Sequence, residues 1–131
     1  MRLLHTMIRV ENLERSIEFY TKVLKMRILR RKDNEGGKYT LVFLGYDDES
    51  KSHAIELTHN WDNRKYEHGT YFGHIAIGVS GIYKLCEEIE SMGGAISRKP
   101  GPLSGSTSVI AFVKDPDGYS IELIEQENRS N

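Results

Sequence analysis

The segment HTMIRV, His5–Val10, decides how this chain is read, because a related segment, HIAIGV, returns at His74–Val79. In an extended strand alternate side chains share a face. A strand over Leu3–Val10 therefore sets Leu4, Thr6, Ile8 and Val10 on one wall and His5, Met7 and Arg9 on the other. The same reading of the second segment puts His74 where His5 stands.

Moving outward, Asn12 is placed as an N-cap, and LERSIEFYTKVL carries Leu13, Ile17, Tyr20 and Leu24 at amphipathic spacing, which predicts a helix of about three turns. The turn-forming run Asn34, Glu35, Gly36, Gly37 precedes KYTLVFLGY, a strand. The polar loop DDESKS then leads to HAIELTHN, another strand. From His74 the order repeats: GHIAIGV is a strand, Gly81 to Met92 a helix stopped by Gly93-Gly94, TSVIAFV a strand, and a DPDG turn opens YSIELIE.

The copies align residue by residue. His5 matches His74 and Phe43 matches Phe112 with the same shift of 69, and Glu56 matches Glu122 with a shift of 66, because DPDGYS replaces a longer loop. Packing alone would preserve apolar positions in such a repeat. Polar residues preserved at matched strand positions point to shared chemistry.

If the two halves fold alike and face one another, His5, Glu56, His74 and Glu122 converge. Two imidazoles and two carboxylates without a thiolate suit a divalent ion such as zinc, nickel, cobalt or manganese and leave room for water. Each glutamate also lies between apolar neighbours, Ile55 and Leu57 or Ile121 and Leu123. Burying an unpaired carboxylate there costs several kcal/mol, a cost that a cation removes.

Composition narrows the function classes. The chain has 131 residues, 38% apolar and 28% charged, with a net charge of -1, which gives no broad electrostatic reason to expect nucleic acid or an anionic membrane as partner. The N-terminal apolar run is too short for a signal peptide or a membrane span, and the one cysteine, Cys86, reads as a buried helix residue. A reducing cytoplasm is the expected compartment. His53, His59 and His68 have no repeat partner and read as surface residues, and Trp61 and Tyr71 read as core aromatics with packing near a ligand as the alternative.

With these residues in place, the sequence resembles the glyoxalase I (lactoylglutathione lyase) family of the vicinal oxygen chelate superfamily. HTMIRV, RSIEFYTKVL, YTLVFLGY, IELTHNW, FGHIAIGV and AFVKDPDGYSIELIE stand in the family's order over nearly the whole chain. The resemblance implies an α+β fold of two paired βαβββ modules, about 1–66 and 67–131, whose curved mixed sheets surround a metal site within one domain. It further implies a homodimer, each site taking His5 and Glu56 from one chain and His74 and Glu122 from the other. The compact chain is similar to the bacterial nickel or cobalt group, so Ni2+ is the expected ion, with Co2+ or Zn2+ as alternatives.

The family reaction isomerises the hemithioacetal of methylglyoxal and glutathione to S-D-lactoylglutathione through an enediolate. The resemblance assigns Glu122 as general base and then acid, and Glu56, at the matched position, as the group for proton transfer on the other diastereomer. Four residues along a strand span about 13 Å, so Arg9 shares the His5 face at a distance from the metal. Asn60 stands in the same relation to Glu56. Together they suit a clamp for the γ-glutamyl end of the substrate, arginine being a natural carboxylate fork. Arg9 maps to Gly78 and Asn60 to Gln126, so the clamp is not duplicated. Met7 is expected to wall the pocket. Arg98 and Lys99 are the basic candidates for the glycine carboxylate, and the loop GPLSGSTS is expected to act as a flap. An acyl-CoA epimerase of the same superfamily, a metal-free sequestering protein and an extradiol dioxygenase share the scaffold. Arg9 and Asn60 weigh against the first, and the four ligands against the others.

Overall fold

The computed structural model describes residues 1–126. The chain divides into two compact units, one spanning Met1–Glu67 and one beginning at His68. The end of the expected 67–131 module lies outside the described residues.

The first unit runs β1 (His5–Arg9), α1 (Leu13–Glu18), a π-helical turn (Phe19–Val23), β2 (Arg27–Asn34), β3 (Tyr39–Gly45) and β4 (Ala54–Asn60). Its sheet has the order β1-β4-β3-β2, with β1 parallel to β4 and the remaining pairs antiparallel. The second unit repeats the plan with β5 (His74–Val79), α2 (Ile82–Ser91), β6 (Ala95–Pro102), β7 (Val109–Lys114) and β8 (Ser120–Glu125) in the order β5-β8-β7-β6. Each unit is therefore a βαβββ module.

The helices form where their caps and apolar faces dictate. The Asn12 side chain accepts from the Arg15 amide, and Leu13, Ile17, Tyr20 and Leu24 are buried as their spacing requires. The predicted helix does not stay α-helical to its end: it widens into the π turn, where the Leu24 amide reaches the Phe19 carbonyl. Helix α2 starts at Gly81, which has no side chain to cap it. The nearly buried Glu125 carboxylate on β8 accepts from the Gly81 and Ile82 amides instead. Ile82, Cys86 and Ile89 face the core, and the Cys86 thiol is pushed up by burial and by the charge of Glu90.

Strands β2 and β6 carry no apolar alternation and went unmarked in the sequence. RILRRKDN is dominated by charge and AISRKPGP holds two prolines. Both are edge strands, where charge blocks further pairing and proline omits no ladder bond. Bulges interrupt both, between Ile28 and Arg30 and on either side of Arg98. The DPDG turn is closed by Asp115, whose carboxylate accepts from the Asp117 and Tyr119 amides, with Gly118 at φ 92°. It fixes where β8 begins.

Tyr71 is fully exposed and Trp61 half-buried, so neither is a core residue. The Trp61 indole N–H donates to Oγ1 of the buried Thr40 on the interior strand β3. His53 and His68 are exposed as expected, but His59 is half-buried with Nδ1 3.3 Å from the Val10 carbonyl oxygen. No helix among the described residues is long and apolar enough to cross a membrane.

Candidate functional site

Strand register builds the same row of side chains in both units. Met7 pairs with Glu56, Glu56 with Phe43 and Phe43 with Arg30 across β1, β4, β3 and β2. In the second unit the row reads Ala76, Glu122, Phe112, Arg98. Residues two apart on a strand share its face, so His5 and Arg9 flank Met7, while His74 and Gly78 flank Ala76.

The repeat extends to atomic distances. His5 Nε2 lies 3.0 Å from Glu56 Oε1, and His74 Nε2 lies 3.0 Å from Glu122 Oε1. Each imidazole meets a phenylalanine edge-on at 5.3 Å, His5 on Phe43 and His74 on Phe112. The glutamate side chains are only 12% and 15% exposed. Both rings are thus held with one nitrogen beside a shielded carboxylate.

Such a pair fits half of a divalent metal shell. Ligand atoms about 2.1 Å from one ion and at a right angle to each other stand about 3.0 Å apart. Among the described residues no group of three or more His, Cys, Asp or Glu side chains is placed to hold an ion, so each unit offers two ligands.

The two halves differ beside the glutamates. Thr58 Oγ1 donates to Glu56 Oε2 at 3.1 Å, whereas the matched position after Glu122 is Ile124. Arg30 lies 3.7 Å over the Phe43 ring and forks onto Glu49. Hydrogen bonding to Glu49, reinforced by the charges of Glu49 and Glu56, holds that guanidinium above its usual range. Arg98, its counterpart, donates instead to the carbonyls of Gly101, Ile110 and Pro102 at the base of the 103–108 loop, the expected GPLSGSTS loop having its first two residues in β6. Lys99 is exposed on β6.

Next to the His5–Glu56 pair lies a pocket of about 330 Å³ lined by Met7, Arg9, Glu56 and Asn60, together with Tyr39, Leu41, Thr58 and Arg64. Asn60 Nδ2 donates to the Tyr66 hydroxyl at 2.7 Å. In the second unit the matched positions are closed against each other: a Cβ on Gly78 would come within 2.9 Å of Gln126 Cγ. Arg30, Thr58, Arg64 and Tyr66 were not singled out in the sequence. Two signals could have found the first two: Arg30 stands 68 residues before Arg98, and Thr58 follows Glu56 at strand period.

Residues 2–123 match the model of the Glyoxalase/Bleomycin resistance protein/Dioxygenase superfamily. The chain belongs to this superfamily. Its relatives include a probable lactoylglutathione lyase of Vibrio cholerae, 57% identical over 96% of this chain and 91% of that protein. The lactoylglutathione lyase of Haemophilus influenzae is 56% identical over 98% and 95%. Among solved structures, glyoxalase I from Zea mays is 49% identical with a TM-score of 0.92. It matches over 95% of this chain, which spans 44% of the maize chain, a little under half its length. The fold is that of glyoxalase I, one chain here corresponding to part of the longer plant protein.

Proposed function

We propose that this chain isomerises the hemithioacetal of methylglyoxal and glutathione to S-D-lactoylglutathione, as a lactoylglutathione lyase that removes methylglyoxal. The observation that carries the reading is the His–Glu pair repeated in both units, with an unduplicated pocket beside the first, in a chain more than half identical to proteins named for this reaction.

His5, Glu56, His74 and Glu122 hold one divalent ion, Ni2+ as the first choice with Co2+ or Zn2+ as alternatives. The family resemblance supports a homodimer in which His5 and Glu56 of one chain would be joined by His74 and Glu122 of the other. The ion, when bound, draws charge from the substrate oxygens and so lowers the cost of the enediolate.

The remaining steps belong to side chains. Glu122 removes the C1 proton and returns it at C2; one residue can serve as base and then acid because C1 and C2 are bonded neighbours. Glu56 stands at the matched position for the opposite diastereomer. Arg9 and Asn60 hold the γ-glutamyl arm, and Met7 walls the pocket between them and the half-site. Arg98 and Lys99 remain the basic residues for the glycine carboxylate, although the Arg98 contacts favour a role in holding the base of the 103–108 loop. The buried thiol of Cys86 suits a reducing cytoplasm.

The test is a spectrophotometric assay of thioester formation from methylglyoxal and glutathione with metal-reconstituted protein. Activity should appear with nickel or cobalt and vanish on chelation. No activity with nickel, cobalt or zinc would sink the assignment.

A further inference from the structure

Arg64 faces the same pocket as Arg9 and Asn60, yet it lies beyond β4 in the turn that follows it. The turn is tight: the Asn63 amide reaches the Asn60 carbonyl and Asn63 adopts φ 55°. Asp62 and Arg64 are thereby brought side by side. Arg64 Nε lies 2.9 Å from both Asp62 oxygens, and Nη2 binds the same carboxylate.

Two features of this pair bear on its role. Both side chains are more than half exposed, so their attraction contributes little to folding. A planar guanidinium also has two edges that can each grip a carboxylate. Asp62 takes the Nε–Nη2 edge, and among the described residues no protein group accepts from Nη1. A second fork is therefore available on a residue that already walls the pocket.

The pocket wall then combines two guanidinium groups and the Asn60 amide. This is more donor capacity than one neutral amide of a peptide would use. It matches a carboxylate, whose two oxygens accept from several donors at once.

We propose that Arg64 is a specificity residue: its Nη1–Nη2 edge joins Arg9 in gripping the α-carboxylate of the γ-glutamyl arm, and Asp62 is the positioning residue that aims it. This rests on the lyase reading above. The proposal divides the labour in the turn, with Asp62 fixing the plane of the guanidinium so that little rotamer freedom is lost when the ligand arrives.

The experiment is calorimetric titration of the metal-loaded full chain with three S-methylated thiols: glutathione, its glycinamide form, and γ-aminobutyryl-cysteinylglycine, which lacks the α-carboxylate. Arg64→Ala should weaken binding of the first two by about tenfold or more, the scale of a charge-assisted fork, and leave the third unchanged. Arg64→Lys should not restore affinity, because an ammonium cannot grip two oxygens in a fork. Asp62→Asn should show a smaller loss with the same ligand pattern. Unchanged affinity of Arg64→Ala for S-methylglutathione would overturn the proposal. So would equal losses on all three ligands, which mark a purely structural role, or a loss that disappears only with the glycinamide, which places Arg64 at the other end of the substrate. If the wild-type chain bound none of the three and isomerised nothing, the lyase reading itself would fall.

Discussion

Thr58 donates its hydroxyl to Glu56 Oε2 at 3.1 Å, while Glu56 Oε1 faces His5. Both oxygens of that carboxylate are engaged. Glu122 faces His74 through one oxygen, and Ile124 stands where a second donor would be. A carboxylate with one oxygen unengaged is the better placed to take up and return a proton, which favours Glu122 as the base. Glu122→Gln should lower kcat by about a hundredfold or more with little change in affinity for S-methylglutathione. Ile124→Thr, which gives Glu122 the anchor that Glu56 has, should lower kcat and leave KM near its original value. Steady-state kinetics would check both, and equal losses in kcat and affinity would reverse the assignment.

The edge-on contacts of Phe43 with His5 and Phe112 with His74 have the same centroid distance, 5.3 Å. Groups that orient a ligand imidazole typically matter about tenfold or more for metal affinity. Phe43→Leu and Phe112→Leu should each weaken metal binding by about tenfold, and by similar amounts, in competition titrations against a chelator. A large difference between them would show that the two rings are held by different means.

Gly94 closes α2, and a Cβ there would meet Ile89 Cγ2 at 2.4 Å and the Ile89 carbonyl oxygen at 2.8 Å. Ile89 is fully buried, so it has nowhere to move. Gly94→Ala should therefore destabilise the fold by roughly 1–3 kcal/mol. Chemical denaturation would measure it. By contrast Gly78→Ala meets only the side chain of the exposed Gln126, which can swing away, and should cost less.

Tyr46 is 49% exposed, but its hydroxyl end is part-buried where it donates to the Leu24 carbonyl at 2.6 Å, and burial of that end pushes its pKa up to about 12. In the unfolded chain the phenol titrates near about 10. Its contribution is present in full below the unfolded value and is lost as pH rises through the folded one, because the unfolded state releases the proton first. Stability should fall between about pH 10 and pH 12, and Tyr46→Phe should flatten that part of the profile. Denaturation midpoints followed across this range would test it.

Much of the fold was legible because its signals are local. Alternating apolar residues marked β1, β3, β4, β5, β7 and β8, and helical spacing with Asn12 marked α1. Strands β2 and β6 were hidden because RILRRKDN is dominated by charge and AISRKPGP holds two prolines, which an edge position tolerates and which erase the apolar alternation. The π-helical end of the first helix was hidden too, since Phe19–Val23 keeps an apolar spacing that serves α and π turns alike.

The sequence by itself determined the internal repeat, and with it the pairing of His5 with Glu56 and of His74 with Glu122. A matched polar residue at a matched strand position needs no coordinates to be noticed. Tertiary structure alone decided what surrounds those residues. Thr58 beneath Glu56, Arg30 over Phe43, Arg64 beside the pocket and Gln126 across Gly78 are neighbours through strand register, bulges and the turn at Asn63. Register is a property of paired strands, and a slip of one residue would turn the strand residues among them, Thr58 and Arg30, to the opposite face.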